Sequence, residues 1–289
     1  MPDYIERRWT SHDGLSLYAR DYPAGGDGDS LPVICLHGLT RNSKDFEEIA
    51  PLLAQMGRRV IVADVRGRGQ SGRDPNPANY QPKTYARDVI GMMKELDIDR
   101  AVFLGTSMGG IVTMTLAAIR PKAVAAAILN DVGPAIAPEG VARILSYAGR
   151  PVEIRNWDDA ADYVARTNGV AFPGYGKKGW QKMARRTFCD RDGVPVLDYD
   201  PAISVALAKP PPRLAGWIAH LLFRRLARRR PTLLIRGALS DVISADIAEK
   251  MQRMAPNLRR VDVPGVGHAP TLTEPEAVDA IRNFLRTVP

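Results

Sequence analysis

Short apolar runs alternate along this chain with longer stretches whose apolar positions recur at helical spacing. The runs read as strands at 32–36, 59–64, 101–105, 124–129, 232–237 and 258–263. The periodic stretches read as helices near 45–56, 84–96, 107–120, 245–254 and 275–287. Residues 5–10 and 15–21 form an opening hairpin. Strand–helix alternation of this kind predicts an α/β fold, a mostly parallel sheet flanked by helices. Between 133 and 230 the alternation stops, and that stretch reads as helices and loops. It leaves one strand and returns before the next, so it is expected to be an inserted helical cap over the C-terminal edge of the sheet. The expected division is a core of 1–133 with 231–289, and a cap of 134–230.

The run 101–104 ends in Gly105-Thr106-Ser107-Met108-Gly109 and a helix-like segment follows at once. A strand turning sharply into a helix at G-x-S-x-G is the setting of an exposed nucleophilic serine, here Ser107. Such a serine needs an acid and a histidine later in the chain. Of the four histidines, His12 lies in a polar turn, His220 in an arginine-rich helix and His37 directly after a strand. His268 lies in Gly265-Val266-Gly267-His268-Ala269-Pro270, a glycine-containing loop after the last strand, and is the expected base. Asp241, in the loop after the strand 232–237, is the expected acid, because Ser244 is better placed to cap the following helix. Asp131, just past the strand 124–129, is the rival acid. A tetrahedral intermediate also needs preorganised N–H donors. The backbone N–H groups of Met108 and Leu39 are the candidates, with His37 supporting the loop.

With these residues in place, the chain resembles α/β-hydrolase-fold serine hydrolases, of the carboxylesterase-like branch with an H-G-x-x oxyanion loop and a helical cap. The matching residues are His37-Gly38, Asp64-x-Arg66-Gly67-x-Gly69-x-Ser71, Gly105-x-Ser107-x-Gly109, Asn130-Asp131-Val132-Gly133-Pro134, Asp241 and Gly267-His268. The resemblance implies hydrolysis through an acyl-enzyme, with no metal and no organic cofactor. Gly67-Arg68-Gly69-Gln70-Ser71-Gly72 has dinucleotide-fingerprint spacing, but Arg73-Asp74-Pro75-Asn76-Pro77 cannot open the required helix. It reads as a structural loop.

Composition narrows the substrate only slightly. The chain has 289 residues and a formal net charge of +8. The expected cap holds 17 Lys/Arg and 9 Asp/Glu, so it carries the whole excess, and 10 of the 19 aromatics. Trp157, Trp180 and Arg185 are therefore the expected substrate-binding residues, an aromatic lid with a cation suited to a carboxylate. The run Arg224, Arg225, Arg228, Arg229 and Arg230 reads as a solvated helix face. The two cysteines, Cys35 and Cys189, suggest no disulfide framework, and no Cys/His spacing suggests a metal. The charged opening residues 1–8 do not read as a secretory leader, and a cytoplasmic location is expected. The expected partner is a small-molecule ester, with no nucleic acid and no stable membrane insertion, and an oligomer remains possible. A thioesterase is left open, and so are two further alternatives. One is a carbon–carbon bond hydrolase or lactonase on a carboxylated ring-cleavage product. The other is a non-catalytic ligand-binding protein on the same fold.

Overall fold

The computed structural model describes residues 3–26, 30–207 and 214–289. Eight strands form one sheet: β1 (Ile5–Thr10), β2 (Ser16–Tyr22), β3 (Val33–Leu36), β4 (Val60–Asp64), β5 (Ala101–Thr106), β6 (Val124–Asn130), β9 (Thr232–Gly237) and β10 (Arg259–Val263). Their order is β1-β2-β4-β3-β5-β6-β9-β10. β2 runs antiparallel to both neighbours, and every other pairing from β4 to β10 is parallel. The chain passes from β3 to β4 on one side and then returns to β5 on the other. The junction of β3 and β5, where Leu36 pairs with Gly105, is therefore a topological switch point. In open α/β sheets ligands bind outside the strand ends at such a junction.

The strands are continuous apolar runs because both faces are covered. Ile34 and Leu36 point into one buried cluster, and Val33 and Cys35 into the other. The covering helices are α1 (Ile49–Gln55), α2 (Pro82–Glu95), α3 (Met108–Ile119), α9 (Ala245–Met254) and α10 (Pro275–Leu285). Ser244 caps α9, its side chain accepting from the Ile247 N–H, as its position suggests.

The insert contains α4 (Pro138–Tyr147), α5 (Trp157–Asn168), α6 (Lys177–Thr187), α7 (Ile203–Leu207) and α8 (Ala215–Ala227). It also contains an antiparallel hairpin, β7 (Phe188–Arg191) with β8 (Val194–Leu197), which the sequence pattern does not announce. α8 departs from the expected cap. It packs on α3, with Phe223, Leu226 and Ala227 buried in the same cluster as Val112 and Leu116. The covering insert thus ends before α8, and α8 belongs to the helical layer beside the sheet. Among the described residues no helix is long and apolar enough to cross a membrane.

Candidate active site

Ser107 stands between β5 and α3 with φ 50° and ψ −113°, a strained conformation for a non-glycine residue. The turn is possible because Gly105 and Gly109 lack side chains. A Cβ on Gly109 would lie 2.0 Å from the Leu36 carbonyl oxygen, and one on Gly105 would lie 2.5 Å from the Gly109 carbonyl carbon. β5, β3 and α3 therefore close tightly around the serine, and its hydroxyl projects into a cavity.

His268 reaches that hydroxyl, with Nε2 3.0 Å from Ser107 Oγ. Its Nδ1 lies 2.8 Å from Oδ2 of Asp131. Asp131 follows β6 directly, has φ 53°, and is fully buried. Its Oδ1 accepts from the Gly237 N–H at 3.1 Å, and its Oδ2 also accepts from the Ser240 hydroxyl at 2.5 Å. The structure thus assembles Ser107, His268 and Asp131 into one hydrogen-bonded chain. Asn130 fixes the frame, since its Nδ2 donates to Thr106 Oγ1 at 3.1 Å and to the Pro270 carbonyl at 2.9 Å.

Asp241 does not take the acid position expected of it. Its carboxylate forms a two-point pair with Arg143 of α4, at 2.5 and 2.8 Å. Burial works against that carboxylate, but the guanidinium outweighs it and holds the pKa below the ordinary range. The loop after β9 places Ser240 beside the histidine's partner and turns Asp241 toward the insert.

His37 lies wholly buried behind the expected oxyanion loop. Its Nε2 accepts from the Val65 N–H at 3.0 Å, so its Nδ1 carries the proton toward the Gly38 carbonyl at 2.7 Å. Burial lowers its pKa to about 4 and keeps it neutral. The Gly38 backbone comes close to the nucleophile: a Cβ there would sit 3.9 Å from Ser107 Cβ. Leu39 lines the cavity. Its carbonyl accepts from Arg68 Nε at 2.9 Å, and Arg68 also reaches Met108 Sδ at 3.6 Å. One buried guanidinium therefore braces both residues whose N–H groups are expected to hold an oxyanion. Neither N–H has a protein acceptor among the described residues.

The cavity above the serine has a volume of about 170 Å³. Tyr147, Tyr163, Thr167, Asn168 and Thr187 of the insert line it, beside Phe172 and Met183. The three expected substrate contacts are elsewhere. Trp157 is covered by the guanidinium of Arg185, 3.6 Å from its ring centroid, and Trp180 packs on Tyr175. None of the three lines the cavity. The cations that do are Arg41, Lys182 and Arg186, and each faces a carboxylate: Asp45, Glu48, and Glu47 with Glu48. Ser240, Arg68, Tyr147 and Tyr163 escape sequence reasoning. Only the position of Arg68 in the loop after β4 gave any signal. His12, Asp13 and Asp88 come together elsewhere, but Arg66 pairs with both carboxylates.

A family model described as the alpha/beta hydrolase fold matches residues 32–275. The chain belongs to the α/β hydrolase fold family. A solved α/β hydrolase from Novosphingobium aromaticivorans superposes with a TM-score of 0.91 at 40% identity, covering 99% of each chain. The 3-hydroxybutyrate-oligomer hydrolase of Cupriavidus necator is 32% identical over 274 residues, 93% of each chain. The 2-(acetamidomethylene)succinate hydrolase of Mesorhizobium japonicum is 28% identical over 261 residues, 89% of each. This α/β hydrolase is accordingly an enzyme of the hydrolase class.

Proposed function

We propose that this α/β hydrolase is a serine esterase for small to medium esters, working through an acyl-enzyme with Ser107, His268 and Asp131. The observation that carries this reading is the unbroken contact from Ser107 Oγ through the imidazole to a buried carboxylate. Ser107 Oγ attacks the ester carbonyl carbon as His268 Nε2 takes its proton. The Asp131 carboxylate holds the imidazole in the needed tautomer and stabilises the imidazolium. The developing oxyanion is received by the N–H groups of Leu39 and Met108. His268 returns its proton to the leaving alcohol. Water then attacks the acyl group, giving its proton to His268, and the free acid departs as Ser107 is reprotonated.

The cavity supports a short acyl group. An apolar cavity of about 150 Å³ takes up a molecule the size of benzene. The tyrosine, threonine and asparagine lining suits an acyl chain that carries oxygen. Likeness to the 3-hydroxybutyrate-oligomer hydrolase points the same way, to short hydroxyacyl esters. A hydrolase built for a carboxylated carbon–carbon substrate would need a cation free to meet the carboxylate. Pairing of Arg41, Lys182 and Arg186 favours the ester reading. The expected cytoplasmic location is part of the same proposal.

The test is labelling with a fluorophosphonate followed by peptide mapping, alongside turnover of p-nitrophenyl acetate, butyrate and octanoate and of the 3-hydroxybutyrate dimer. A single adduct on Ser107, with the short esters and the dimer preferred over octanoate, is expected. No adduct, or an adduct elsewhere, would overturn the reading.

A further inference from the structure

The positive charge of this chain is not spread over the insert. Residues 134–200 hold 10 Lys/Arg and 9 Asp/Glu, whereas residues 201–230 hold 7 Lys/Arg and no Asp/Glu. The excess therefore belongs to residues 201–230, and α8 within them packs beside α3 and does not line the cavity.

α8 has one face in the core and the opposite face open. Phe223, Leu226 and Ala227 are buried. Leu214, Trp217, Ile218 and Leu221 are exposed by 63%, 66%, 43% and 49%, and their spacing places them on a single face. Arg224, Arg225, Arg228 and Arg229 continue that stripe, and with Leu221 they line a shallow surface groove. Among the described residues none of these four arginines has a carboxylate partner. Arg228 spends its Nε on the Met254 carbonyl, while the other three side chains are exposed.

We propose that this face of α8 docks on the surface of an anionic lipid bilayer. Trp217, Ile218 and Leu221 would enter the interfacial layer, and the arginines would meet the headgroup phosphates. A tryptophan with aliphatic neighbours, bordered by a block of arginines, matches a surface that is apolar below and negative above. A second copy of the chain fits less well, because residues 201–230 hold no acid that could meet the arginines across a self-complementary contact. A nucleic acid would use the arginines but leave the aliphatic side chains uncovered. The proposal does not depend on the identity of the ester substrate.

Co-sedimentation of the full chain with vesicles tests it. Vesicles containing phosphatidylglycerol should carry the protein down at low salt, phosphatidylcholine vesicles should not, and added salt should weaken the binding. Replacing Arg224, Arg225 and Arg229 together by glutamine should lower partitioning by roughly tenfold or more. Trp217→Ala should lower it severalfold at every salt concentration. Both variants should hydrolyse a soluble ester at the parent rate, which shows that they are folded. Absence of sedimentation with phosphatidylglycerol, or unchanged partitioning of the arginine variant, would overturn the proposal. So would tight binding of a duplex oligonucleotide that is indifferent to Trp217→Ala, or a dimer whose formation needs Trp217 while vesicles are ignored.

Discussion

Ser240 donates its hydroxyl to Oδ2 of Asp131 at 2.5 Å, the same oxygen that faces His268 Nδ1 at 2.8 Å. Ser240 itself accepts from the N–H groups of Val242 and Ile243, at 3.1 and 3.0 Å. The loop after β9 thus does not supply the acid but holds it, from Gly237 on one oxygen and Ser240 on the other. Losing the Ser240 donor should leave the Asp131 carboxylate free to turn and loosen its aim at the imidazole. Ser240→Ala is therefore expected to lower kcat by about tenfold with KM little changed, since a hydrogen bond to a charged group contributes about 1.5–3 kcal/mol. Ser240→Thr keeps the hydroxyl and should restore the parent kcat. An unchanged kcat in Ser240→Ala, or a loss that Ser240→Thr does not restore, would reduce the serine to a structural role.

Arg143 and Asp241 tie α4 to the loop after β9, with side chains only 16% and 22% exposed. Arg143→Met leaves the Asp241 carboxylate half-buried and unpaired, and should cost about 1–3 kcal/mol in urea unfolding at neutral pH. The folded pKa of Asp241 is depressed. Its contribution is therefore complete above the ordinary carboxylate pKa and is lost as the pH falls through the depressed value. The difference between parent and Arg143→Met should accordingly shrink in strong acid. A difference that grows there would contradict the pairing.

Two buried groups act on stability in opposite directions over one pH window. His37 is held to about 4, below its ordinary 6.5, so its contribution is present above 6.5 and is lost as the pH falls toward 4. Asp64, buried and near Asp198, is raised to about 6 from 3.8, so its contribution is present below 3.8 and is lost as the pH rises through 6. The two slopes nearly cancel, and the parent's stability should change little between pH 4 and 6 on their account. Asp64→Asn removes one side of the balance. Its unfolding free energy should fall toward pH 4 by an amount on the order of 3 kcal/mol more than the parent's. Parallel curves for the two proteins would refute the opposition.

Much of this architecture is legible in the chain because local chemistry dictates it. The apolar runs are strands, Ser244 caps α9, and Gly105 and Gly109 mark the turn that Ser107 needs. The histidine in contact with Ser107 could be found because its rivals lie in plainly different settings. The acid could not. Both Asp131 and Asp241 follow a strand and lie between Ser107 and His268 in the chain. The choice turns on the left-handed backbone of Asp131 and on Arg143 claiming Asp241 from a distant helix. Aromatic content likewise does not say which way a ring faces. Trp157 is occupied by Arg185, and tyrosines line the cavity instead. The positive excess of 134–230 lies within 201–230, the stretch around α8, a helix that tertiary packing assigns to the core.

The most direct measurement compares kcat/KM for a p-nitrophenyl ester in Asp131→Asn and Asp241→Asn, each checked for folding by circular dichroism. An amide in place of the triad carboxylate favours the wrong imidazole tautomer and costs about 10⁴-fold in a serine hydrolase. Asp131→Asn is expected to lose about 10³-fold or more, and Asp241→Asn to stay within about tenfold of the parent. The reverse order of losses would contradict the Ser107–His268–Asp131 assignment.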